Sequence, residues 1–275
     1  MDSALSNLLL IDECLFDEKR VQAFARAIKK SVKVGDIVVD AGTGTGIIAL
    51  LAAKAGAKKV YAVEWDPEIA HIAAQNIRAN NFHNAVEVVN ADVREFILPT
   101  GDHADVLVME MLDTGFIAEQ QAGAIIGLKK NGVIKTNTTI LPERAAFFMT
   151  ALQYDFNFYG FNLPSIIQAR NDGVLPRIKK VMSKDYCYAD IDLQELASRQ
   201  FSSNVRLKVA RSGILNGVKL STDIYLSGKI CHATTDMNMP IIIPIPPRRV
   251  KRGDIIPLSV EYAMGKGFRD FKIMA

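Results

Sequence analysis

A glycine-rich turn between an apolar run and an alanine-rich stretch constrains the fold of this chain more than any other feature. The apolar run is Ile37-Val38-Val39, and the turn reads Asp40-Ala41-Gly42-Thr43-Gly44-Thr45-Gly46. Residues 47–55, which follow directly, are rich in alanine and leucine and are predicted to form a helix. Because glycine tolerates positive φ and has no Cβ, such a turn lets a ligand approach the backbone closely. The segment therefore predicts a buried parallel strand, a ligand-binding turn and a helix.

Strand and helix patterns alternate over the first half of the chain. The predicted elements are helices over 13–31, 67–80 and 119–130 and strands over 59–63, 86–89 and 104–109. Strands that alternate with helices in this way form a doubly wound parallel sheet with right-handed crossovers. The first half is therefore predicted to be α/β.

The pattern changes after Pro142. Short β-type runs separated by glycine and proline follow at 145–152, 205–210, 220–227, 240–245 and 255–262, and only 192–199 has a helical pattern. Such runs are typical of an antiparallel barrel or sandwich. We therefore expect two domains, residues 1–141 and residues 142–275, the second of them mostly antiparallel β.

Composition excludes several classes of protein without indicating an activity. The chain has 275 residues, 49% of them hydrophobic, and a formal net charge of +3, which excludes a disordered chain. Its three cysteines, Cys14, Cys187 and Cys231, predict neither a disulfide framework nor a metal site, because they are widely spaced and odd in number. No apolar run approaches the ~20 residues of a membrane span, and the acidic start has no signal-peptide pattern. We expect a cytoplasmic protein with no membrane partner, whose basic runs at 177–180 and 247–252 are solvated turns.

Acidic residues follow three successive predicted strands. Asp40 ends the first strand, Glu64 ends the second, and Asp92 follows the third. Each acid alone is an ordinary cap or loop residue. Because ligands of open α/β sheets bind at the carboxyl ends of the strands, three acids there indicate a binding site. In such a site Glu64 is placed to bind ribose hydroxyls and Asp92 to meet an adenine amino group.

The charge of Asp40 indicates the kind of ligand. A fixed anion two residues before Gly42 suits a cation and repels a pyrophosphate, which favours S-adenosylmethionine with its sulfonium and ammonium groups. A nicotinamide dinucleotide fingerprint needs glycine at its first, third and sixth positions. Counted from Gly42 the sixth position is Ile47, and counted from Gly44 it is Ala49, which only a permissive fingerprint accepts. A nicotinamide enzyme is therefore the weakest of the alternatives.

The glycine-rich turn and the strand after it resemble class I S-adenosylmethionine-dependent methyltransferases, specifically the protein arginine methyltransferase family. The likeness rests on residues 40–46 and 56–64, on Asp17-Glu18-Lys19-Arg20, on Glu110 and Glu119 nine residues apart, and on Leu141-Pro142-Glu143-Arg144-Ala145. It implies a Rossmann-like domain that binds S-adenosylmethionine, followed by a barrel-like β domain on the acceptor side. In that family the arginine that corresponds to Arg20 binds the carboxylate of the cofactor.

The resemblance assigns catalysis to Glu110 and Glu119, and the chemistry of arginine gives the reason. A guanidinium stays protonated and presents a planar fork of donors, which two carboxylates can bind and orient. We therefore expect direct, metal-free methyl transfer to a cationic nitrogen on a protein side chain. Spacing alone leaves another interpretation open, in which Glu119 merely begins the helix over 119–130 and its negative charge interacts favourably with the helix dipole. The implied cofactor-binding residues are Arg20, Asp40, Gly42, Thr43, Gly44, Gly46, Glu64, Trp65, Asp92, Val93 and Glu110.

Several positions depart from that family. No tyrosine precedes Tyr61, and Thr235-Asp236-Met237 replaces the family's loop of threonine, histidine and tryptophan. Met111-Leu112-Asp113-Thr114 follows the first glutamate, so that Asp113 adds a third acid near the acceptor. The stretch 142–235 is short for the family, which puts a dimerisation arm in question and leaves the oligomeric state open. An RNA or small-metabolite acceptor, or a non-catalytic module that binds S-adenosylmethionine, stays as an alternative.

Overall fold

Helices and strands alternate along the first half of the molecule and give way to strands in the second. The structure is a computed structural model that describes residues 14–99, 101, 103–169, 173–228, 230–233 and 239–274. The described helices are α1 (Glu18–Ser31), α2 (Ile47–Lys54), α3 (Pro67–Ala79) and α4 (Gln121–Lys130), with short 3₁₀ helices at Thr114–Phe116, Leu175–Arg177 and Gly267–Asp270. The strands are β1 (Ile37–Ala41), β2 (Lys59–Glu64), β3 (Val86–Asn90), β4 (Val106–Met109), β5 (Thr139–Leu141), β6 (Arg144–Tyr154), β7 (Asn157–Phe158), β8 (Phe161–Asn162), β9 (Ile167–Gln168), β10 (Ile178–Val181), β11 (Tyr186–Asp192), β12 (Gln200–Lys208), β13 (Gly213–Ser227), β14 (Ile230–Ala233), β15 (Ile241–Val250), β16 (Ile255–Ala263) and β17 (Lys272–Met274).

The first five strands form one parallel sheet in the order β3-β2-β1-β4-β5. Its strands are short apolar runs, and β1, β2 and β4 are buried along almost their whole length, as expected for a sheet covered by helices on both faces. The register places Ala41 of β1 beside Val63 of β2 and Met109 of β4. This sheet confirms the predicted Rossmann-like α/β fold. The carboxyl ends of its three central strands therefore lie together, at the edge where such sheets bind ligands.

The remaining strands are antiparallel. The largest sheet has the order β10-β6-β13-β15-β9, with β11 also paired to β6 and β14 to β13, and a smaller sheet has the order β12-β16-β17. A short hairpin joins β7 and β8. These sheets confirm the antiparallel β region predicted after Pro142.

One continuous cluster of buried apolar side chains draws on both halves, from Ala23 on α1 to Met264 beyond β16. The change from parallel to antiparallel pairing falls between Leu141 and Arg144. The division into domains 1–141 and 142–275 stays a prediction. Within the described ranges no helix is both long and apolar enough to span a membrane.

Two predicted helices differ from the structure. The helix expected over 192–199 is wrong: β11 runs to Asp192, whose Oδ1 accepts the N–H of Gln194 at 2.8 Å and turns the chain instead. Local side-chain to backbone bonds of this kind compete with helix formation. The helix expected to begin at Glu119 begins at Gln121, so Glu119 lies outside its first turn. Glu119 directly precedes the N-cap residue Gln120, and its side chain accepts the N–H of Gln120, so the alternative role of Glu119 at a helix start stays open.

Candidate active site

The glycine-rich turn lies at the carboxyl end of β1, between the sheet and α2. Gly42, Gly44 and Gly46 all have positive φ, at 75°, 55° and 85°. The N–H groups of Gly42 and Thr43 both donate to the carbonyl of Val63, at 2.9 and 3.0 Å, and bind the turn to β2. A Cβ at Gly42 would lie 3.0 Å from Cγ of Met111. Glycine at this position therefore lets the turn approach the loop after β4 closely.

Glu64 at the end of β2 holds the same turn through its side chain. Its Oε2 accepts the N–H of Gly44 at 3.0 Å, and its Oε1 accepts the N–H of Asp66 at 3.1 Å. The side chain is largely buried. The predicted ribose-binding residue is thus fixed in one orientation beside the glycine-rich turn.

Asp40 is buried beneath the turn and accepts the hydroxyl of Thr43 at 2.5 Å. Burial raises the pKa of Asp40 to about 7, against the opposing effect of the Thr43 hydrogen bond, and the nearby charge of Glu64 raises it further. From sequence, Asp40 is expected to be a fixed anion. In the folded chain it is a carboxyl group that titrates near neutral pH.

Three predicted cofactor residues lie further along this sheet edge. Trp65 follows Glu64 and is 53% exposed, while Val93 is buried. Asp92 is engaged by Arg94, whose Nε lies 2.9 and 3.0 Å from its two oxygens and whose Nη2 lies 2.5 Å from Oδ2. These hydrogen bonds are the main cause that lowers the pKa of Asp92. Arg94 is not among the residues predicted from sequence, although its position two residues after an acid is a recognisable signal.

Arg20 on the first turn of α1 forms an ion pair with Glu110, which directly follows β4. Arg20 is 3% exposed and Glu110 is 13% exposed. Nη1 of Arg20 and Oε1 of Glu110 are buried, and neither has a hydrogen-bond partner within the described residues. The pair therefore presents one donor and one acceptor to a ligand. A donor on a buried guanidinium fits the carboxylate of S-adenosylmethionine, and the free acceptor fits a cationic group.

Glu119 lies in the same charged cluster. Burial raises its pKa to about 7, the charge of Asp113 raises it further, and the charge of Arg20 opposes both. Asp113 accepts the N–H groups of Ala118 at 2.8 Å and of Glu119 at 3.2 Å, and burial raises its pKa to about 7 as well. The structure thus brings Glu110 and Glu119 near Arg20, and the third acid, Asp113, near Glu119.

Contacts from the β region fix the loop that carries these acids, residues 110–119, which we call the acidic loop. Thr222 Oγ1 accepts the N–H of Gly115 at 2.9 Å, and the Tyr262 hydroxyl donates to the Gly115 carbonyl at 2.7 Å. The N–H of Gly265 donates to the Phe116 carbonyl at 2.9 Å. The partners are more than 100 residues apart in the chain, so no local pattern predicts them.

Some expectations fall outside what the structure describes. Thr235-Asp236-Met237, which align with the family's threonine, histidine and tryptophan loop, lie outside the described residues. Among the residues that are described, no group of three or more histidine, cysteine or acidic side chains is arranged to hold a metal ion.

Residues 8–152, more than half of the chain, match the family model described as the TRM5/TYW2 methyltransferase domain. The chain belongs to this family. It is a class I methyltransferase that uses S-adenosylmethionine and resembles the protein arginine methyltransferases.

Two relatives are similar to this chain along most of its length. An uncharacterised protein of Methanocaldococcus jannaschii is 29% identical over 94% of this chain and 93% of its own length. Protein arginine N-methyltransferase 1 of Dictyostelium discoideum is 28% identical over 95% of this chain and 84% of its own length.

Two solved structures share the fold. Protein arginine methyltransferase 10 of Arabidopsis thaliana superposes with a TM-score of 0.75 at 19% identity, over 93% of this chain and 88% of that one. The Trypanosoma brucei PRMT1 enzyme–prozyme complex with AdoHcy superposes with a TM-score of 0.72 at 17% identity, over 90% and 86% of the two chains. At these identities the likeness shows the fold alone.

Proposed function

We propose that this methyltransferase acts on a guanidinium nitrogen of an arginine side chain in a protein substrate. The observation that carries the proposal is the convergence of Glu110 and Glu119 beside Arg20. Two largely buried carboxylates within one charged cluster suit a planar cation with several N–H donors better than they suit a neutral acceptor. The Dictyostelium relative named as an arginine methyltransferase supports the same acceptor.

Arg20, Asp40, Glu64, Trp65, Asp92, Val93 and Glu110 would hold S-adenosylmethionine, together with the turn residues Gly42, Thr43, Gly44 and Gly46. Arg20 offers its free Nη1 to the cofactor carboxylate, and Glu64 is oriented for the ribose. Bound S-adenosylmethionine supplies an electrophilic methyl group on a sulfonium. The protein contributes chiefly the alignment of the attacking nitrogen with that methyl group.

Glu110 and Glu119 would bind and orient the acceptor. Glu110 keeps one oxygen on Arg20 and has Oε1 free to accept an N–H of the guanidinium. Glu119, when ionised, binds the same guanidinium and accepts the proton that the nitrogen loses as its new bond to carbon forms. We further propose that residues 1–141 carry the cofactor site and that residues 142–275, which fix the acidic loop, cover the acceptor.

Transfer of a labelled methyl group from S-adenosylmethionine into a cell lysate tests this function. We expect label in the protein fraction with the native chain, and a loss of at least about 100-fold with Glu119→Gln, as is typical for removal of a group that takes a proton. Glu195→Gln is the matched control, because Glu195 is exposed and lies outside the site. Equal labelling by Glu119→Gln and the native chain would remove Glu119 from the proposal.

An RNA acceptor is the second candidate, and a basic patch in the β region favours it. Its members lie where the ends of β10, β12 and β15 meet the start of β13: Lys180, Lys208, Arg211, Arg248, Arg249, Lys251 and Arg252. None of them forms an ion pair with another residue in the described part of the chain. Unpaired cations on neighbouring turns attract phosphate. Label in the RNA fraction of the same lysate would favour this candidate.

A further inference from the structure

The side chain of Asp113 binds two backbone N–H groups of the acidic loop. Its Oδ2 accepts the N–H of Ala118 at 2.8 Å and its Oδ1 accepts the N–H of Glu119 at 3.2 Å. Both bonds cross the turn that leads from Asp113 to Glu119, which contains Gly115 at a φ of 71°. A carboxylate that binds two N–H groups of one turn holds that turn in a single conformation. The backbone of Glu119 is therefore fixed by Asp113.

The charged groups around this pair come from several elements. Arg20 lies on α1, and its partner Glu110 follows β4. Tyr188 on β11 and Tyr262 on β16 face Asp113, and burial raises the pKa of both hydroxyls far enough to keep them neutral at ordinary pH. Arg20 is thus the positive charge that acts on Glu119, and Asp113 is the negative charge that opposes it most.

We propose that Asp113 is the positioning residue for Glu119: the two hydrogen bonds of its side chain fix the backbone of Glu119, and its charge, once Asp113 is ionised, opposes the ionisation of Glu119. Burial is the main cause that raises the pKa of both carboxyl groups to about 7, and at Glu119 the charge of Asp113 adds to it. Only the expected effect of Asp113 on activity rests on the proposed function; its effect on the backbone and the ionisation of Glu119 does not. If Glu119 binds the guanidinium as an anion, activity rises as the pH passes through about 7.

The pH profile of kcat/KM for Asp113→Asn tests the catalytic consequence. Asparagine keeps one oxygen for the N–H of Ala118 but carries no charge, so the acidic limb of the profile should move to lower pH. Asp254→Asn is the control, because exposed Asp254 also accepts a turn N–H, that of Lys251 at 2.7 Å, outside the site. A lower kcat/KM at every pH with an unmoved acidic limb would overturn the effect of the charge on ionisation.

A titration that needs no acceptor separates this inference from the proposed function. Carboxyl ¹³C signals of the labelled protein, with that of Glu119 assigned by its loss in Glu119→Gln, report ionisation directly. We expect the Glu119 signal of the native chain to titrate near pH 7 and to move to lower pH in Asp113→Asn. If Asp113→Asn does not fold, the native chain still tests the inference, because a Glu119 midpoint at the ordinary value of 4.5 would overturn it.

Discussion

The ion pair of Arg20 and Glu110 links the two halves of the site. Arg20 comes from the first turn of α1, where Asp17 caps the helix by accepting the Arg20 N–H at 3.0 Å. Glu110 comes from the end of β4 and begins the acidic loop. One side chain expected to bind the cofactor therefore also holds a side chain expected to bind the acceptor. Loss of either partner leaves a largely buried charge uncompensated.

Replacement of Arg20 by alanine should weaken cofactor binding and destabilise the fold. Isothermal titration calorimetry should show at least a tenfold lower affinity for S-adenosylmethionine, because a hydrogen bond to a charged group contributes about 1.5–3 kcal/mol. The free energy of unfolding should fall by about 3 kcal/mol, since Glu110 loses its partner. Arg26→Ala, at an exposed position on the same helix, should change neither quantity appreciably. Native affinity in Arg20→Ala would contradict the role given to this arginine.

At the scale of elements, the glycine-rich turn that connects β1 to α2 lies in close contact with β2 and with the acidic loop. The glycine-rich turn is bound to β2 through the carbonyl of Val63 and the carboxylate of Glu64, and Gly42 packs against Met111 of the acidic loop. Three segments distant in the chain meet at this turn because the sheet order places β1 between β2 and β4. A side chain larger than hydrogen at Gly42 disturbs both the turn and the acidic loop.

Gly42→Ala and Gly132→Ala separate backbone strain from close approach. Their φ angles are nearly the same, 75° and 72°, but a Cβ at Gly42 meets Met111 at 3.0 Å and a Cβ at Gly132 meets nothing within 4 Å. Each substitution should cost about 1 kcal/mol of stability from the positive φ. Only Gly42→Ala should also weaken binding of S-adenosylmethionine, as measured by calorimetry. Equal affinity of the two variants would show that the turn tolerates a side chain there.

At the scale of the molecule, three buried acids make stability depend on pH. Asp40, Asp113 and Glu119 have pKa values of about 7 in the folded chain, against ordinary values of 3.8 for aspartate and 4.5 for glutamate. At a pH between the ordinary pKa values and about 7, the folded chain retains protons that the unfolded chain has released. Stability contributed by these groups is therefore lost as the pH rises from about 4 to about 7.

Urea denaturation at about pH 5.5 and about pH 8 measures this dependence. We expect a lower free energy of unfolding at the higher pH. Each of the three groups contributes up to about 1.4 kcal/mol to the loss for every pH unit between the lower pH and the pKa of that group in the folded chain. Asp113→Asn should reduce the difference between the two conditions, because asparagine does not titrate. A stability that is equal at both pH values, or greater at pH 8, would contradict the assignment of these acids.

The parallel sheet was largely predictable from sequence, and the acidic loop was not. Each strand of that sheet is a short apolar run followed by a turn or acid, and Asp66 and Pro67 mark the start of α3, so local pattern suffices. The failed helix over 192–199 has leucines at helical spacing, but Asp192 redirects the backbone through its side chain. The missed strands β5, β7, β8, β9, β10, β14 and β17 have at most four residues, too few to show a period, whereas β11, also missed, has seven.

The residues of the candidate site were proposed from sequence, but their arrangement was not. Spacing and resemblance located Arg20, Glu110 and Glu119, whereas their pairing depends on where α1 packs against the sheet. Burial, which sequence does not report, changes Asp40 from a fixed anion to a titrating group. The contacts that hold Gly115 come from strands more than 100 residues later in the chain.

The claim that the acceptor is an arginine guanidinium is tested most directly by tandem mass spectrometry of protein methylated with deuterated S-adenosylmethionine. We expect a deuterated methyl group on a side-chain nitrogen of arginine for the native chain and for Glu195→Gln, and its absence for Glu119→Gln. A deuterated methyl group found only on another amino acid, or only in RNA, would contradict the claim.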